Sequence, residues 1–203
     1  MWQLISRSKQ VTILVALTII VILALQAAAQ LWGSETPPLY KSVSLVAFVV
    51  GTILAGIANF TWRWLWRRVP SLNRWLFPDL NGTWTGTLQS TWIDPATAVS
   101  PGPIPTTVTI RQTLFDVSVK MKTGESGSYS TRVIPEAEPQ ADRYRLWYSY
   151  DNRPTATVQH RSTPHEGVAW LEVALADDPD KLTGQYYTSR KTTGDIEVTR
   201  DDA

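Results

Sequence analysis

The sequence predicts an all-β small antiparallel barrel of about eight strands, preceded by a two-helix transmembrane hairpin. Three observations lead there. Two long runs near the start, residues 11–32 and 42–60, contain no charged residue. From Leu80 onward apolar residues recur at every second position, the strand period. The charge also changes sign at that point: residues 1–80 carry seven Lys/Arg and two Asp/Glu, a balance of +5, whereas residues 81–203 carry twelve and sixteen, a balance of −4. The formal net charge of +1 therefore hides two unlike parts.

A helical membrane span needs about 20 predominantly apolar residues. "VTILVALTIIVILALQAAAQLW" (11–32) supplies them, and "SVSLVAFVVGTILAGIANF" (42–60) nearly does. A domain this short cannot cover two such helices on every side, so both are expected to span, within a hairpin unit over 1–68. Gly51, Ala55 and Gly56 lie at helical spacing in the second run, where small residues let helices approach closely in lipid. Arg7, Lys9 and the "QAAAQ" at 26–30 also have the form of a secretory leader. The length of the apolar run and the second run close behind it favour a retained span.

Basic residues beside the spans set orientation. Arg7 and Lys9 precede the first; Arg63, Arg67, Arg68 and Arg74 follow the second; the loop between has Lys41 and Glu35. Both termini are expected in the cytoplasm, with 31–41 outside, giving a multi-pass protein of a bacterial inner membrane. Trp62, Trp64 and Trp66, alternating with Arg63 and running into Arg67 and Arg68, suit the headgroup layer, where indole rings and cations on anionic lipid are both accommodated. Arginine interleaved with tryptophan is also a nucleic-acid signature. Its place directly after a span argues for lipid, and no DNA or RNA partner is expected.

Residues 69–79 read as a linker and 80–203 as a cytoplasmic β-barrel domain. "GTWTGTLQS" (82–90) puts Trp84, Gly86 and Leu88 on one face and three threonines on the other. Further strands are expected at 106–112, 115–121, 128–134, 143–150, 168–176, 182–190 and 194–200, with 155–161 adding or extending one. Turn signals at 94–105, 122–127, 136–142, 176–181 and 191–194 separate them. Such strands fit a closed barrel or a sandwich; a barrel leaves no exposed edge.

The absence of cysteine removes disulfides, thiolate metal sites and a Cys nucleophile. His160 and His165 sit in a polar, loop-like stretch without zinc spacing. Asp177, Asp178 and Asp180 lack the glycine and terminal glutamate of a calcium loop and read as a solvated turn. No nucleotide or hydrolase fingerprint appears. The expectation is a binding domain, not an enzyme, with no cofactor. Alternation places Leu182, Gly184, Tyr186, Thr188 and Arg190 on one face. If it points inward, Tyr186 offers a stacking ring and Arg190 a cation that pairs with phosphate. Trp84, Tyr186, Thr188 and Arg190 are the candidate ligand residues, with Trp84 also fitting a plug at the barrel bottom.

Two spans followed by a β-rich cytoplasmic domain, opening on "FPDLNGTWTGTL" (77–88) and closing on "LTGQYYTSRKTTGDIEVTR" (182–200), resemble the CD-NTase-associated two-transmembrane, β-strand-rich effectors of bacterial CBASS anti-phage defence. The resemblance covers essentially the whole chain. It implies a partner nucleotidyltransferase that makes a cyclic nucleotide, a cyclic dinucleotide above all, which the barrel binds. It further implies homo-oligomerisation through the helices, inner-membrane disruption and cell death. Two other readings stay open: a membrane-tethered, lipocalin-like barrel for an apolar small molecule, and a non-catalytic membrane scaffold with a solid barrel.

Overall fold

Eight antiparallel strands close on themselves in the computed structural model, which describes residues 1–33, 39–57, 61–94 and 97–201. The chain divides into two compact units, Met1–Arg68 with Thr113–Phe115, and Val69–Gln112 with Asp116–Ala203.

In the first unit, α1 (Arg7–Leu31) and α2 (Leu39–Gly56) pack on one another. Val21 is buried, while Val11, Ile13, Val15 and Ile20 are exposed, so α1 stays apolar on the sides that nothing covers. A helix apolar all round belongs in a large core or in lipid. At 25 residues, α1 is about 37 Å long, enough to span a hydrocarbon layer of about 30 Å. It is long and apolar enough to cross a membrane, whereas the apolar run Val43–Gly56 is shorter. The end of the second expected span, 58–60, and residues 34–38 of the expected outside loop lie outside the described residues. A Cβ built on Gly51 or Gly56 meets nothing within 4 Å, so both present open helix surface. The tryptophan run forms α3 (Trp62–Arg68). Its four-residue spacing buries Trp62 and Trp66 edge-to-face, with ring centroids 5.5 Å apart, while Trp64 stays exposed beneath the Arg68 guanidinium at 5.8 Å.

In the second unit, a short helix α4 (Ser71–Trp75) leads to β1 (Gly82–Ser90), β2 (Ile104–Gln112), β3 (Val117–Thr123), β4 (Ser126–Glu138), β5 (Arg143–Pro154), β6 (His165–Ala174), β7 (Asp178–Thr188) and β8 (Thr193–Arg200). Each strand pairs with its neighbours in sequence, and β1 pairs with β8, from Trp84 opposite Arg200 to Ser90 opposite Gly194. Every expected strand is present. The stretch 155–161 is a correction: it forms a 3₁₀ turn at Ala156–Val158 rather than strand. Pro154 has no N–H for the ladder, and the Thr155 N–H donates to the Glu125 carbonyl at 2.8 Å. Phe115 likewise falls in the β2–β3 turn, before β3 begins.

Alternation decides what fills the barrel. Trp84 and Leu88 point in while Thr83, Thr85 and Thr87 point out. Val108, Ile110, Val119, Leu146, Leu171, Leu182, Ile196 and Val198 pack the interior, each nearly inaccessible. Small barrels need strongly coiled strands. Gly86 and Gly184 permit this, since a Cβ there would lie 2.1 Å from the Glu197 carbonyl oxygen and 2.0 Å from that of Trp170.

The segment expected as a linker belongs to this unit and closes one end of the barrel. Phe77 and Leu80 are fully buried, with the Phe77 ring edge-on to Tyr144 at 6.1 Å. Gln112 donates from Nε2 to the Pro78 carbonyl and accepts from the Leu80 N–H, both at 3.0 Å. Tyr144 donates to the Arg74 carbonyl at 2.6 Å. Arg200 stacks over the Trp84 ring at 4.1 Å and donates to the carbonyls of Asn81 and Asp79 at 2.7 and 3.0 Å. These bonds satisfy backbone groups that a buried segment would otherwise leave unpaired.

Candidate ligand site at the open end of the barrel

The interior changes character along its axis. Toward the end opposite Trp84, the inward positions become Ser90, Ser128, Asn152, Tyr148, Tyr150 and Tyr186, and a cavity of about 670 Å³ opens among them. That volume lies within the range of small-molecule sites, about 300–1,000 Å³. The residues follow from alternation: on β5, Tyr144, Leu146, Tyr148, Tyr150 and Asn152 share one face, running from the closed end to the open one.

Two of the rings are fixed by glycines in the adjoining strands. A Cβ on Gly167 would lie 2.4 Å from Tyr150 Cζ, and one on Gly194 would lie 2.4 Å from Tyr186 Cε1. The Tyr186 hydroxyl donates to Ser90 Oγ at 2.9 Å. Burial pushes the phenols of Tyr148, Tyr150 and Tyr186 up, so all three are neutral donors at physiological pH. Flat faces with hydrogen-bonding edges suit a planar heterocycle that is both stacked and read at its rim.

The mouth is formed by the β1–β2 connection, which contributes Trp92, Pro101 and Pro103, the β3–β4 turn, the β5–β6 connection and the β7–β8 turn. Its charged lining residues are Glu125, Arg161 and Arg190, two arginines against one glutamate. Arg161 pairs with Glu125 across the mouth. Arg190 donates from one terminal nitrogen to Ser162 Oγ at 3.1 Å, and its other terminal nitrogen lies 3.5 Å from His165 Nε2. Among the described residues no carboxylate forms a salt bridge with Arg190. Its charge is therefore available to an anion. Burial, with Arg190 adding to it, pushes the His165 imidazole down, so it is neutral at pH 7.

Of the residues singled out in the sequence, Tyr186, Thr188 and Arg190 come together in this lining. The Thr188 hydroxyl meets Thr192 Oγ1 at 2.7 Å and helps to hold the turn that carries Arg190. Trp84 stands apart from them: it is fully buried at the closed end, donates to the Leu80 carbonyl at 3.1 Å and is not among the lining residues. Sequence reasoning missed Tyr148, Tyr150, Asn152, Arg161 and His165. The β5 residues were readable from alternation, whereas Arg161 and His165 join the site only through folding of the β5–β6 connection.

Residues 75–200 match the family described as Cap15, cyclic dinucleotide receptor domain. The chain is also similar to a CD-NTase-associated protein 15 from Staphylococcus schleiferi, 25% identical over 158 residues, which cover 77% of each chain.

Proposed function

The chain belongs to the Cap15 cyclic dinucleotide receptor domain family, and from that premise we propose that it is a CBASS effector whose barrel binds a cyclic dinucleotide in the cavity at its open end. The observation that carries this reading is the pairing of neutral tyrosine rings inside the cavity with an arginine of unneutralised charge at its mouth. The rings suit bases and the guanidinium suits a phosphodiester. The lining also has apolar members such as Leu88, Ile104 and Met121, but an apolar cargo would leave the Arg190 guanidinium and the tyrosine hydroxyls without use.

The rest of the proposal concerns the membrane. The hairpin spans an inner membrane with both termini in the cytoplasm, where a partner nucleotidyltransferase makes the ligand. The basic residues flanking the apolar runs support that orientation. Trp62, Trp64 and Trp66 with Arg63, Arg67 and Arg68 lie at the lipid interface. Occupied barrels promote homo-oligomerisation through Gly51, Ala55 and Gly56, and the assembled helices disrupt the bilayer and kill the cell. Ligand drives this only if it binds the assembled state more tightly than the resting one.

Calorimetric titration of the full chain in lipid nanodiscs tests the receptor reading. Cyclic di-AMP, cyclic di-GMP and cyclic GMP–AMP serve as ligands, with their linear dinucleotides as controls. Saturable binding of at least one cyclic form, tighter than its linear counterpart, is expected. Binding of none of the three would refute the reading.

A further inference from the structure

Arg190 and His165 reach the same point of the mouth from different elements, the β7–β8 turn and the first residue of β6. The Thr163 carbonyl lies 3.0 Å from His165 Nδ1. A carbonyl only accepts, so Nδ1 carries the proton and Nε2 turns its lone pair toward the Arg190 guanidinium, 3.5 Å away. Protonating Nε2 in this state would set two cations side by side. Arrival of an anion reverses the balance.

We infer that Arg190 and His165 together form the phosphodiester subsite of the cavity, and that His165 takes up one proton at Nε2 as the anion binds, so that affinity rises as pH falls. This rests on the cyclic dinucleotide reading. An anionic oxygen placed between the two groups accepts from Arg190 on one side and from the new Nε2–H on the other. The proton comes from solvent and no covalent bond forms or breaks. Ser162 Oγ, held by Arg190, gives up that contact or shares it.

The other charged and titratable groups lining this end are Arg161 and Glu125, from the β5–β6 connection and the β3–β4 turn, and Tyr148, Tyr150 and Tyr186, from β5 and β7. Arg161 and Glu125 neutralise each other. The tyrosines stay neutral across the range concerned, since burial holds their phenols above the ordinary value. His165 is therefore the group among them whose charge changes near neutrality. Burial and Arg190 place its free-state pKa below the usual imidazole value. An adjacent phosphodiester raises it in the bound state. The sign follows from linkage: the bound form holds more protons than the free form between the two pKa values, so affinity falls with rising pH in that window and is level outside it.

The test is calorimetry on the full chain in nanodiscs between about pH 5.5 and 8, repeated in buffers of different ionisation enthalpy. The probes are the three cyclic dinucleotides and, separately, inorganic phosphate. For the wild type, the affinity for the cyclic dinucleotide that binds should fall by up to about tenfold per pH unit within the window. The observed enthalpy should track the buffer, reporting proton uptake. His165→Gln should bind more weakly with a flat pH profile. His165→Lys, which carries a fixed charge, should also be flat and should retain more affinity than the glutamine variant. A wild-type affinity that does not change with pH, or a slope that persists in His165→Gln, overturns the inference. So does proton uptake with inorganic phosphate and none with a cyclic dinucleotide that binds. Failure of all three cyclic dinucleotides to bind at any pH instead condemns the receptor reading itself.

Discussion

Arg190 at the mouth and Trp84 at the closed end belong to the same barrel, yet their surroundings assign them different work. Arg190 sits at an open mouth on neutral partners, so its charge remains to be used. Arg190→Ala should weaken cyclic dinucleotide binding about tenfold, the loss of one charge-assisted hydrogen bond of about 1.5 kcal/mol in a solvent-reached site. Titration calorimetry reads it directly; unchanged affinity would remove Arg190 from the site. Trp84 is sealed between the Leu80 carbonyl and the Arg200 guanidinium. Trp84→Ala should cost about 3–5 kcal/mol of stability through the cavity it leaves, read by chemical denaturation. At temperatures where the variant is folded, its ligand affinity should match the wild type. A selective loss of affinity with stability intact would return Trp84 to the ligand set.

The strands were the most legible elements, because a barrel with one filled face enforces strict alternation. β1 follows the expected 82–90 residue for residue, and Trp84, Leu88, Val108 and Ile110 face inward as the period requires. Strand ends were less legible: β4 runs on to Glu138 and β5 to Pro154, since pairing with each other continues past the apolar core. The mouth was hardly legible. It is assembled from turns far apart in sequence, and Glu125, Arg161 and Arg190 meet there only once the sheet has closed. The segment before β1 was misread as a linker for a related reason. Its apolar residues, Val69, Leu72, Trp75, Leu76, Phe77 and Leu80, do not alternate as strand residues do, and the burial of Phe77 and Leu80 depends on partners such as Tyr144 and Gln112 much later in the chain. A fragment of residues 69–203 should therefore fold as an all-β domain with one cooperative melting transition. A fragment starting at Gly82 should melt well below it, because the Trp84 end loses its cover. Circular dichroism of the two fragments checks this, and equal melting temperatures would show that the segment adds nothing to the barrel.

At the scale of the whole molecule, a receptor barrel and an apolar helical unit share one chain, and the proposal couples them through assembly. Gly51 and Gly56 present open helix surface within one chain. Replacing both with Leu should leave ligand affinity unchanged and suppress nucleotide-dependent dye release from vesicles carrying the full chain, since close helix approach in lipid needs small residues. Undiminished release would exclude this face from assembly. The central claim, that the ligand occupies the open end of the barrel, is tested most directly by hydrogen exchange across the full chain in nanodiscs, with and without the cyclic dinucleotide it binds. Slower exchange is predicted in the backbone around the mouth, at 121–126, 160–167 and 186–192, with no change at the closed end, 77–84. Protection confined to the closed end, or absent from the mouth at saturating ligand, would contradict the account.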